Sequence, residues 1–65
     1  MKLSVLLEVI DVEEANLPPE YTIERYLNPE SGNLEVIVCA EGLSYFREFS
    51  PGDTAMSVCD FIRRS

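Results

Sequence analysis

Ser50-Pro51-Gly52-Asp53-Thr54-Ala55-Met56-Ser57-Val58-Cys59-Asp60-Phe61-Ile62-Arg63-Arg64 is the stretch that sorts the rest of the chain. It reads as the only helix. Ser50 is placed to cap free amides, Pro51 suits a first-turn position, and Asp53 favours the positive helix end. A shorter alternative uses Asp53 as the cap and starts the helix at Thr54. Ala55, Val58, Cys59 and Ile62 fall at helical spacing in one apolar stripe, flanked by Met56 and Phe61. Arg63 and Arg64 close the last turn, where cations suit the negative end.

What precedes this helix reads as sheet. In Lys2 to Val12, Leu3, Leu7 and Val9 share one side of an imperfect alternation with Val5. Leu6, Glu8, Ile10 and Val12 take the other, as in a strand covered on both faces. Ala15 to Glu20 holds Pro18-Pro19 and ends that pairing. Tyr21 to Asn28 forms the second strand and Leu34 to Ala40 the third, joined by the turn-rich Asn28-Pro29-Glu30-Ser31-Gly32-Asn33 into a hairpin. Leu34, Val36, Val38 and Ala40 should face the core. Glu41-Gly42-Leu43 turns the chain again. Ser44 to Phe49 is a short fourth strand of undecided facing, with Tyr45 and Phe49 expected to be partly buried.

The resulting expectation is one small α+β domain, residues 1–65. It is an antiparallel sheet of three to four strands followed by one C-terminal helix packed on one face, β-β-β-β-α. One helix covers one sheet face, so Leu6, Ile10, Tyr26, Ile37 and Phe46 should lie on the uncovered face, ringed by Glu8, Glu24, Glu35 and Glu48. An apolar patch with a charged rim has the anatomy of an interaction surface.

Charge narrows the partner. Twelve acidic residues oppose five basic ones, a net charge of −7. Direct binding to nucleic acid or an anionic membrane would cost repulsion. A domain this short buries only about 60% of its unfolded surface, which favours binding a partner or a second copy over housing a deep active site. No histidine is present, which removes the commonest general base and the Ser-His and Cys-His nucleophile pairs. The three glycines lie apart, so no phosphate loop or dinucleotide fingerprint forms. Asp11, Glu13 and Glu14 lack the spacing of a calcium loop and read as a solvated acidic turn. Neither catalysis, a metal nor a cofactor is expected. The opening apolar run is broken by Glu8 and reads as a strand rather than a leader, and no stretch is long enough to span a bilayer. A cytoplasmic location follows, with Cys39 and Cys59 as reduced core residues.

From Tyr21 onward, the hairpin, short strand and Gly52-Asp53-Thr54 step into a helix resemble the hairpin-and-helix unit of HicB-type antitoxins. That resemblance implies a small basic toxin as partner and transfers no functional residue, since it rests on those three positions. In type, a short acidic chain without catalytic signatures is also similar to phage-encoded inhibitors such as anti-CRISPR proteins, some of which present carboxylates where a partner expects phosphates. The leading expectation is therefore an inhibitor or binding module that docks on a basic, nucleic-acid-handling protein. Its surface would come from Glu8, Asp11, Glu13, Glu14, Glu20, Glu24, Glu30 and Glu35, with Tyr26 and Ile37 as anchors. The alternative is a structural or regulatory subunit that dimerises or joins a complex through the apolar sheet face.

Overall fold

The computed structural model describes every residue from Met1 to Ser65. Its elements run α1 (Leu3–Ala15), β1 (Tyr21–Leu27), β2 (Leu34–Ala40), β3 (Leu43–Phe49) and α2 (Ala55–Arg64). The class is α+β, but the β-β-β-β-α order is wrong. The chain is α-β-β-β-α, with three strands in the antiparallel order β1-β2-β3.

The correction lies in the first element. Leu3, Leu6, Leu7 and Ile10 satisfy a helical period as well as they satisfy alternation, because apolar residues fill nearly every position. Length and composition decide between the two. Thirteen residues run without a turn signal, longer than an ordinary strand, and three Leu, three Glu and an Ala outweigh the four β-branched Val and Ile residues that favour a strand. Leu6 and Ile10, expected on an open sheet face, are fully buried beneath α1. Asp11, Glu13 and Glu14 belong to the last turns of this helix rather than to a solvated turn.

The second helix starts later than either expectation. Thr54 is the cap, its Oγ1 accepting from the Ser57 amide at 3.2 Å. Ser50 to Asp53 instead form a turn of their own, in which Asp53 Oδ2 accepts from the Ser50 amide at 2.8 Å. Val58 and Ile62 are buried, Cys59 and Phe61 are half-buried, and Met56 is exposed.

The sheet follows the expected hairpin. Leu34 pairs with Leu27 and Ala40 with Tyr21 across the first hairpin, and β3 runs back along β2 with Leu34 opposite Phe49 and Ala40 opposite Leu43. Asn28 organises the first turn, its Oδ1 accepting from the amides of Glu30 and Ser31. Glu41 and Gly42 link β2 to β3 with φ of 38° and 81°, the positive pair a two-residue primed turn requires.

Side chains alternate across the sheet. Ile23, Leu34, Val36, Val38 and Phe49 point to one face, where they meet Leu6 and Ile10 of α1 and Val58 and Ile62 of α2. Phe49 packs edge-on against Phe61, with ring centroids 5.8 Å apart. Tyr45 departs from expectation and stays 41% exposed, lining an open groove with Arg47 and with Asp60, Phe61 and Arg64 of α2. Both helices cover the same side of the sheet, so the other face is bare.

Two outcomes check this packing by urea unfolding. Phe49→Ala should cost about 3–5 kcal/mol, enough to unfold most of a domain this small. Glu41→Asn, which relieves a left-handed glutamate, should stabilise the fold by about 0.5–1 kcal/mol.

Candidate partner-binding surface

The register assigns nine residues to the bare sheet face. Across the three strands they form rows of Tyr26, Glu35 and Glu48, then Glu24, Ile37 and Phe46, then Thr22, Cys39 and Ser44. Tyr26 is 54% and Phe46 61% exposed, with the half-buried Ile37 between the flanking strands. Three carboxylates surround this apolar centre. None of the five cations is on this face. Lys2 precedes α1, Arg25 and Arg47 point to the helical side, and Arg63 and Arg64 end α2.

Glu35 and Glu48 stand directly opposite each other on adjacent strands. Like charges in that position destabilise a sheet. Neither is neutralised: Glu35 accepts from Asn28 Nδ2 at 3.1 Å, and Glu48 lies 3.5 Å from Ser31 Oγ. Neutral amide and hydroxyl donors orient these carboxylates without neutralising them.

The remaining sequence candidates separate into two groups. Glu20 and Glu30 are exposed in the connections beside β1, and Glu24 and Glu35 are on the open face. Glu8 is exposed on α1, on the helical side, next to Val5, Val9 and Val12. Asp11, Glu13 and Glu14 are committed within the chain. Arg25 bonds both Asp11 and Glu14, while Glu14 Oε2 accepts from the Ile23 amide at 2.9 Å. Glu13 is only 7% exposed and takes a two-pronged contact from Arg63, at 2.8 and 3.4 Å, that ties α1 to α2. Expecting these three on the partner surface followed from reading α1 as a strand.

Two of these, Glu13 and Glu14, are perturbed accordingly. The Cys59 thiol and the Arg63 guanidinium hold Glu13 below its ordinary 4.5, against the opposing pull of burial. Arg25, helped by the Ile23 amide, holds Glu14 down in the same way. Burial, then the nearby Glu13 carboxylate, pushes the Cys59 thiol up. Both thiols are free, and Cys39 and Cys59 lie on opposite sides of the sheet, so an intrachain disulfide has no route.

Phe46 and Glu48 complete the surface; the sequence placed both on the uncovered face but named neither as a binding residue. Their own strand is ambiguous, but the two-residue Glu41-Gly42 link carried the signal. It sets Ala40 opposite Leu43, which places Phe46 beside Ile37 and Glu48 beside Glu35. No group of three or more His, Cys, Asp or Glu side chains is arranged to hold a metal ion, and no helix is long and apolar enough to cross a membrane. Comparison with protein-family models, curated proteins and solved structures finds no match to this chain.

Acid titration tests Glu13 and Glu14. Their folded values lie below the unfolded one, so their contribution is complete above about pH 4.5 and is lost as pH falls through the folded values. The urea midpoint should drop over that window, and drop less steeply in Glu13→Gln. Glu48→Lys should do the opposite of a damaging change and raise stability at neutral pH by up to about 1 kcal/mol, since it replaces a repulsion with an attraction.

Proposed function

We propose that this chain is a non-enzymatic binding module that docks its bare sheet face on a basic protein surface, and that the surface is one a nucleic acid would otherwise occupy, so that docking inhibits the partner. One observation carries the reading. Glu24, Glu35 and Glu48 surround Tyr26, Ile37 and Phe46 on a face with no cation of its own.

The physics of such a face is specific. Carboxylates on neighbouring strands stand about 5 Å apart, within the range of phosphate spacing along a nucleic-acid strand. Arginines of a partner can meet them in charge-assisted pairs. The aromatic and aliphatic centre supplies the desolvated anchors from which most binding energy comes. Keeping Glu35 opposite Glu48 costs the free protein stability, and a bound cation removes that cost. An arrangement unfavourable alone and favourable in a complex fits a surface built for a partner.

The test uses three baits against cell lysate: the wild-type chain, Glu24→Lys/Glu35→Lys/Glu48→Lys, and Glu8→Lys. The wild-type chain and Glu8→Lys should capture the same basic, nucleic-acid-binding protein, released as salt rises and competed away by that protein's nucleic acid. The triple variant should bind it at least about tenfold more weakly, the loss expected when several charge pairs are reversed. Equal capture by all three baits, or capture indifferent to salt, refutes the reading. A partner retained at high salt and lost on Ile37→Asp would instead identify a structural subunit that assembles through the apolar centre.

A further inference from the structure

The two edges of the sheet are treated differently. On β1, the groups that would pair with another strand at Ile23 are occupied by side chains: the Ile23 amide donates to Glu14, and the Ile23 carbonyl accepts from Arg25 Nη2 at 3.0 Å. Filling an edge with charged side chains is how proteins prevent further pairing. β3 has no such guard. It contains no lysine or proline, its charged residues Arg47 and Glu48 bond no backbone group of its edge, and Leu43, Tyr45 and Phe46 are exposed along it.

The register identifies its free groups. Since the Ile23 amide points away from β2, Ile23 and Val38 are a non-bonded pair, and Val38 turns its backbone toward Tyr45. The alternate residues Ser44, Phe46 and Glu48 then direct N–H and C=O outward, three unpaired positions in a row.

We infer that β3 pairs antiparallel with β3 of a second copy of this chain, about a two-fold axis through Phe46, forming a continuous six-stranded sheet. The occupant follows from charge and from the self-complementarity of the strand. Residues 1–41 hold nine acids and two bases, a charge of −7, whereas residues 42–65 hold three of each, a charge of zero. The β3 side is where two such acidic molecules approach with their charged halves farthest apart, and so with the least repulsion. Under the two-fold, Phe46 meets Phe46, Tyr45 meets Arg47 and Ser44 meets Glu48, so no like charges face each other. An arginine beside a tyrosine and an aromatic pair are favourable cross-strand neighbours. Arg47 already lies 4.7 Å over the Phe49 ring, held on the side where the partner tyrosine would arrive. Pairing in this way leaves the acidic face of each copy open and aligned, and it does not depend on that face having a partner.

Sedimentation velocity and amide hydrogen exchange on the full chain, across about a hundredfold range of concentration, test the inference. Mass should rise from 7.4 kDa toward twice that value, and the amides of Ser44, Phe46 and Glu48 should become protected in step. Added salt should strengthen the association, because it screens the repulsion of two −7 chains, whereas it weakens docking on a basic partner. Tyr45→Lys sets a lysine against Arg47 of the second copy, and Ser44→Pro removes an outward donor without touching the β2 ladder. Each should weaken self-association by at least about tenfold while leaving the circular dichroism unchanged. A chain that stays monomeric throughout overturns the inference, with the edge then left to a foreign strand. A dimer in which those three amides exchange freely, or which both variants form as well as wild type, overturns it equally.

Discussion

Everything in this molecule depends on one layer of contact, the inner sheet face against the two helices. Nine buried apolar side chains form it, drawn from all five elements. Sixty-five residues supply enough apolar surface for one such layer and no more. The second sheet face is therefore exposed by necessity, and its composition is free to serve a purpose other than folding. The chain uses that freedom unevenly. It places aromatics and carboxylates there and keeps every cation elsewhere.

The distribution of charge follows from the same economy. Glu13 and Glu14 sit in the last turn of α1, where the helix dipole disfavours negative charge. They are tolerated because Arg63 and Arg25 reach them from other elements. Two of the five cations are thus spent joining α1 to α2 and to β1. Arg47 lies over an aromatic ring, and the acids of the open face are left without a counterion. Internal pairing and surface imbalance are two sides of one allocation.

How much of this could be read from the residues alone varied with the kind of signal. The first hairpin was legible because turn chemistry is local: Pro29, Gly32 and the flanking alternation point to the same answer, and the inner set of Leu34, Val36 and Val38 is buried as that alternation required. Tyr26, Ile37, Glu24 and Glu35 were placed correctly on the open face for the same reason. The first element was not legible by pattern, since a run apolar at nearly every position satisfies both periods. That ambiguity propagated. It moved Leu6 and Ile10 from the core to the surface, and it turned Asp11, Glu13 and Glu14 from internal ties into supposed binding residues. Phe46 and Glu48 were expected on that face as well but were not named as binding residues, for a different reason. Facing in β3 is a property of its register with β2, and individual side chains do not declare it.

That last point makes the link between β2 and β3 more than a connector. Both sides of β3 carry an aromatic and a charged residue, Tyr45, Arg47 and Phe49 against Phe46 and Glu48, so its own pattern does not forbid the reverse facing. Shifting the strand by one position would turn Ser44, Phe46 and Glu48 toward the helices and bring Arg47 out beside Glu35. The open face would then hold two acids and one base in place of three acids. Two residues of turn, Glu41 and Gly42, thereby act as a polarity selector: the length of a loop, without any change in composition, decides the electrostatic character of the opposite side of the sheet.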